Sequence, residues 1–132
     1  MPSEQYEIGL KIRKEVLGEE YVERALASAD DFNRDFQVLV TDYCWGGVWG
    51  RGVLDKKQHS LNNLCILAAL NRGPEFEMHF RAALGNGCSR EELRDTLIQI
   101  AVYCGIPAGV EAFRIARKVL AEVDAAAQDA KP

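Results

Sequence analysis

Apolar residues recur at helical spacing along almost the whole chain, and the apolar/polar alternation of a half-buried strand is nearly absent, so the pattern predicts an all-α fold. Residues 4 to 17 place Ile8, Ile12, Val16 and Leu17 on one face, and Gly18 stops this helix before a short second one through Tyr21, Val22, Ala25 and Leu26. Asp30 and Asp31 are good N-caps for a third segment, which carries Phe32, Phe36, Leu39, Val40 and Tyr43 toward Trp45 before Gly46, Gly47, Gly50 and Gly52 open a loop. Asp55 restarts a helix whose later part, Leu64 to Leu70, is apolar on every side, which predicts a central helix covered all round. Pro74 suits the start of the next helix, with Phe76, Phe80, Ala83 and Leu84 on its apolar face and Gly85 and Gly87 at its end. Ser89-x-x-Glu92 is a capping box opening a helix with Leu93, Leu97, Ile100 and Cys104 in one stripe. Gly105-Ile106-Pro107 breaks it, and the last helix is expected from about Ala108 to Val123, with residues 124–132 as a frayed tail. No internal repeat or low-complexity linker divides the chain, so the expectation is one domain over 1–132, a bundle of about six to seven helices.

Composition narrows the function classes. A chain of 132 residues is long enough to build a core without disulfide or metal staples. Its net charge of −4 and its lack of a basic run or stripe argue against nucleic-acid binding. The N-terminal MPSEQYEIGLKIRKEV has charges every few residues and no apolar signal core, and no stretch is apolar for long enough to cross a bilayer, so a soluble cytoplasmic protein is expected. Cys44, Cys65, Cys88 and Cys104 supply no CxxC pair for redox cycling and no close pair for zinc. Cys65 and Cys104 read as small buried hydrophobes. No GxSxG, HExxH or HxH motif and no acidic metal cluster is present, which disfavours metal-dependent hydrolysis.

The candidate chemistry gathers at three places. His79 falls about 60° from Phe76 on a helical wheel, at the border of the apolar face, with Glu75 one turn earlier on the same side. This is either an ordinary i,i+4 pair or an acid/base pair, and only His59 and His79 offer an imidazole at all. Arg72 stands at a helix start, where free N–H groups already favour an anion and a guanidinium adds a bidentate clamp, or else is a solvated arginine in a helix junction. The stretch Tyr43-Cys44-Trp45-Gly46-Gly47-Val48-Trp49-Gly50-Arg51-Gly52 holds both tryptophans and Arg51, and serves either as a flat wall for a small ring or as packing and subunit contact.

The segments RKEVLGEEYVERAL at 13–26, FNRDFQVLVTDYCWGGVWGRGVL at 32–54 and SLNNLCILAALNRGPEFEMHFRAALGNGCSREELRDTLIQIAVYCGIPAGVEAFRIA at 60–116 together resemble the carboxymuconolactone decarboxylase family. The resemblance implies an all-helical fold shared with the alkylhydroperoxidase-D group and a symmetric homo-oligomer, typically a hexamer. It also implies decarboxylation of 4-carboxymuconolactone to the β-ketoadipate enol-lactone in protocatechuate catabolism, with no metal or organic cofactor. A re-purposed or non-catalytic small-molecule binder of the same family is the alternative. The redox relatives carry CxxC followed by histidine; His79 matches that histidine, while Arg72 and Glu75 stand where the cysteines would be, so disulfide cycling is excluded. On this resemblance His79 is the proton donor and Glu75 orients or recharges it. Arg72 and Arg51 hold the substrate carboxylates, and Trp45, Trp49 and Tyr103 wall a partly dry pocket.

Two departures bear on the substrate. The family decarboxylases usually read RPGL where this chain has Arg51-Gly52-Val53-Leu54, and usually carry an arginine where it has His59. A loop-stiffening proline is gone and an always-charged residue has become a titratable one. His59 is thus either a second proton donor, in contact with substrate in a changed site, or a solvated helix residue.

Overall fold

The computed structural model describes residues 2–130, and among them the chain is all-α, with no β-strand. Seven α-helices appear in order: α1 (Glu4–Leu17), α2 (Glu19–Ala27), α3 (Arg34–Leu39), α4 (Lys56–Ala69), α5 (Gly73–Gly85), α6 (Arg90–Cys104) and α7 (Ile106–Asp129). A π-helix (Val40–Gly46) continues α3, and a 3₁₀ turn (Trp49–Arg51) follows it. The described residues form two compact units, 2–59 and 60–130.

In the first unit Ser3 caps α1 by accepting the Tyr6 N–H at 3.0 Å. The buried stripe of α1 is Gly9, Arg13 and Val16 rather than the expected Ile8, Ile12, Val16 and Leu17, and Ile8 is exposed. The rotation follows from a close approach. A Cβ on Gly9 would collide with the Thr41 carbonyl oxygen and the Gly46 nitrogen, and one on Gly46 with the Gln5 carbonyl oxygen, so α1 and the π-helix meet backbone to backbone. α3 also departs from expectation. Asp30 does cap, accepting the N–H groups of Phe32 and Asn33, but it closes a turn and the helix begins only at Arg34. Phe32 (98 % exposed), Phe36, Leu39 and Tyr43 face outward. The inward side of this segment is polar, Gln37 and Thr41, because it must answer the buried Arg13. The expected glycine loop is largely helical: Gly46 ends the π-helix and Gly50 lies within the 3₁₀ turn.

The second unit has the larger core. Phe76, Phe80 and Ala83 of α5, Leu93, Leu97 and Ile100 of α6, and Ala112, Ile115, Ala116 and Val119 of α7 close on one another and on Leu64 of α4. The capping box at Ser89 and Glu92 forms in both directions. The central-helix expectation for Leu64 to Leu70 is corrected: Leu64 is buried, but Ile66 and Leu70 are exposed, since the core lies on one side of α4 and nothing in this unit covers the other. Cys88 is buried and Cys65 half-buried, whereas Cys104, expected inside, is exposed because it ends α6 where the chain turns away from the core. The tail expectation is also corrected, for α7 runs on to Asp129. Its Ala-rich end is a good helix former, and Glu122 and Asp124 pair with Arg81 and Arg90. Residues 131 and 132 lie outside the described residues. Among the described residues no helix is long and apolar enough to cross a membrane.

Two glycines on helices give opposite expectations for the same substitution. At Gly109 of α7 an added Cβ meets the Ala101 Cβ and Cα of α6, whereas at Gly85, the last residue of α5, nothing lies within 4 Å. Gly109→Ala should cost about 1–3 kcal/mol through overpacking despite alanine's better helix propensity. Gly85→Ala should leave the melting temperature unchanged or slightly raised. Thermal unfolding of both variants checks the sign.

Candidate active site

Three of the candidate residues come together in the first unit. Trp45 of the π-helix and Trp49 of the 3₁₀ turn are both buried, with ring centroids 4.7 Å apart and planes inclined by 36°. The His59 imidazole stacks on Trp49 at 4.9 Å and 28°. Asp55 holds the start of α4 by accepting the Gln58 N–H at 2.8 Å, which sets His59 one turn into the helix. The Nε2 atom of His59 is buried and has no hydrogen-bond partner among the described residues. A buried, unanswered imidazole nitrogen is costly unless a ligand meets it. Arg51 is exposed on the same 3₁₀ turn and forms no ion pair among the described residues, so its charge is available.

In the second unit α5 carries the remaining helical candidates. Arg72 is its N-cap, Glu75 lies in the first turn and His79 two turns in. His79 is only 7 % exposed, and burial holds its pKa below the ordinary histidine value, so the neutral imidazole is favoured. Glu75, in contrast, is exposed and makes no hydrogen bond or ion pair among the described residues; it is not bonded to His79. Arg72 opens on a cavity of about 260 Å³ floored by Phe76, Ala112 and Ile115 and edged by Asn71 and Glu111. His79 does not line this cavity. Arg81, the other arginine of α5, is engaged with Glu122 of α7 at 2.5 Å. Tyr103 is 82 % exposed near the end of α6 and lines none of these features.

Three buried polar residues, Arg13, Thr41 and Ser60, escaped the sequence reading. Ser60 is completely buried and accepts a hydrogen bond from the Asn86 side chain at 2.9 Å. Arg13 is 6 % exposed and bonds the Gln37 side-chain oxygen at 3.1 Å and the Thr41 hydroxyl at 3.0 Å. The signal for Arg13 was available: it sits at i+4 from Gly9 and i−3 from Val16, so a charge interrupts one face of α1. Among the described residues no three His, Cys, Asp or Glu side chains converge to hold a metal ion.

Comparison with known proteins adds the following. The Carboxymuconolactone decarboxylase family profile matches residues 34–118. A 4-carboxymuconolactone decarboxylase of Acinetobacter baylyi is 38 % identical over 120 residues, covering 91 % of this chain and 90 % of the relative. A nitrosuccinic acid decarboxylase of Metarhizium robertsii is 42 % identical over 115 residues, covering 87 % of this chain and 80 % of the relative. An uncharacterized 15.0 kDa protein of Paracoccus denitrificans is 31 % identical over 83 residues, 61 % of each chain.

The environment of His79 yields a stability prediction. Its pKa is depressed in the folded protein, so between the folded and unfolded values the unfolded chain binds more protons. The contribution is full above the unfolded value, about 6.5, and is lost as pH falls through the folded one. Wild type should therefore lose melting temperature between neutral pH and about pH 5, and His79→Gln should show a shallower slope over the same window. Melting curves at matched ionic strength measure the difference.

Proposed function

Because the chain belongs to the carboxymuconolactone decarboxylase family, we propose that it is a cofactor-independent decarboxylase of 4-carboxymuconolactone or a closely related carboxylated butenolide. A decarboxylase activity rests on one observation: relatives 38 % and 42 % identical over most of both chains are each named decarboxylases. The two named substrates share a chemical feature. Each has a carboxylate whose C–C bonding electrons can pass, as CO2 leaves, into an acceptor already in the molecule: the conjugated lactone carbonyl in one, the nitro group in the other. The protein then has two tasks, to stabilise the resulting anion and to return one proton to carbon.

For the lactone, the bond to the carboxylate breaks, the pair moves through the ring double bond to the carbonyl oxygen, and the dienolate takes a proton on ring carbon to leave the enol-lactone. His79 returns that proton. In the free protein it is neutral, but a bound carboxylate in dry surroundings favours imidazolium, so the proton enters with the substrate. Glu75, exposed one turn earlier, recharges the imidazole from solvent; its lack of a bond to His79 leaves no support for an orienting role. Arg51 and Arg72, both exposed and without ion partners among the described residues, are the carboxylate-holding cations. Trp45 and Trp49 supply aromatic surface, and the unanswered Nε2 of His59 supports a contact from that ring to a polar group of the substrate. Tyr103, though exposed, completes the wall in this reading. Its exposure, with that of Phe32, Tyr43, Leu70 and Val110, supports a homo-oligomer, with a hexamer expected, that covers these side chains. The corresponding place is protocatechuate catabolism in the cytoplasm.

The nitrosuccinic relative favours a second substrate class, an open-chain dicarboxylate with a nitro group as acceptor. The deciding experiment offers 4-carboxymuconolactone, generated in situ by its cycloisomerase, and nitrosuccinic acid in parallel, and follows CO2 release. Turnover of the lactone is expected, with His79→Ala lowering kcat by about 10²–10⁴, the usual worth of a positioned acid. Turnover of nitrosuccinic acid alone would replace the lactone reading, and undiminished turnover by His79→Ala would remove His79 from the proton step.

A further inference from the structure

Arg13 is the one buried charged side chain among the described residues of the first unit, and the proposed chemistry leaves it unused. Its guanidinium lies between α1 and the α3/π-helix segment, and no carboxylate among the described residues pairs with it. Both hydrogens of Nη1 are spent on neutral acceptors, the Gln37 side-chain oxygen and the Thr41 hydroxyl. The Thr41 hydroxyl in turn donates to the Gln37 main-chain oxygen at 2.9 Å. The Nε–H has no partner among the described residues, and burial lowers the pKa of the group. Desolvating a guanidinium is costly, and an apolar side chain of similar volume usually serves stability as well or better.

What the arrangement secures is a register. Thr41, wholly buried, is the second residue of the π-helix, and the Gly47 N–H reaches the Asp42 oxygen five residues back at 2.9 Å. A π-turn holds one more residue than an α-turn, and its collapse to α would rotate every later side chain by about 100°. Trp45 is four residues beyond Thr41 in that helix, and Trp49 and His59 stack on from it.

We infer that Arg13 is a positioning residue: through Gln37 and Thr41 it pins the register of the π-helix, and so the placement of the Trp45–Trp49–His59 stack against which substrate is held. The substrate half of this statement rests on the proposed function, whereas the placement half stands on geometry alone. The test exploits the fact that Trp45 and Trp49 are the only tryptophans in the chain. At 4.7 Å their indoles couple as an exciton pair, so circular dichroism reports their mutual placement directly. Three variants are compared with wild type: Arg13→Met, which keeps length and removes the donors; Arg13→Lys, which keeps the charge; and Thr41→Val, which removes the hydroxyl at constant shape.

Arg13→Met and Thr41→Val should lose most of the tryptophan couplet while keeping the helical signal, and KM should rise about ten- to a hundredfold, the worth of a hydrogen bond to a charged group, with kcat nearly unchanged. Arg13→Lys should restore part of both. Should Arg13→Met fail to fold, Thr41→Val carries the test. An unchanged couplet in the folded variants overturns the inference, and so does a lost couplet with KM unchanged, which would make Arg13 merely structural. If wild type turns over neither substrate, the proposed function has failed, and the couplet alone then decides the placement half.

Discussion

A guanidinium removed from water with only neutral groups to meet it sets the terms for the first unit. It can be buried there because Gly9, one turn before it, lets α1 lie directly on the backbone of the π-helix. Across that close approach the opposing segment presents oxygen atoms to Arg13, from Gln37 and Thr41. The consequence reaches the surface. With its polar side turned inward, the α3 segment turns Phe32, Phe36 and Leu39 out, the reverse of an amphipathic helix on a private core. The hydrogen bonds made to one buried charge therefore go with the inward polarity of α3, and with an apolar ridge that the unit itself does not cover.

The second unit meets the opposite problem with His79. Here the titratable group is placed among apolar neighbours on α5, and the fold keeps it neutral at the cost of its charged form. For a decarboxylase this polarity is useful. An imidazole already protonated would be solvated or salt-bridged and reluctant to give up its proton, whereas one that becomes charged only beside an anion holds a proton that is easily surrendered once CO2 departs and that anion's charge moves onto carbon.

Most helices were legible because their boundaries are chemical: the Ser89–Glu92 box, Pro74 at the start of α5 and the glycine between α1 and α2 are local signals that tertiary packing did not override. What the pattern misjudged were faces. Apolar periodicity marks a face that prefers to be covered, but not whether this chain covers it, so Ile66, Leu70 and the α3 ridge read as core and lie outside. The π-helix was invisible because nothing in its composition distinguishes a five-residue hydrogen bond from a four-residue one; its determinant, Arg13, is 28 residues away. The site was legible in residue types more than in associations. Trp45, Trp49 and His59 do form one cluster, yet the i,i+4 spacing of Glu75 and His79 produced no bond, since one is buried and the other points to solvent.

These contrasts bear on how substrate identity would be encoded. If the electron sink belongs to the substrate and His79 returns the proton as proposed, that histidine need not change when one acceptor replaces another. Discrimination then falls to groups that read the substrate's remaining polar atoms. In the proposed function that reader is His59, beside the paired tryptophans. A planar imidazole stacked on indole, with one nitrogen unanswered, is a more selective reader than a guanidinium with five donors, because it accepts or donates a single hydrogen bond. On the proposed function, a histidine at position 59 thus narrows what the aromatic wall can hold without altering the proton chemistry assigned to His79.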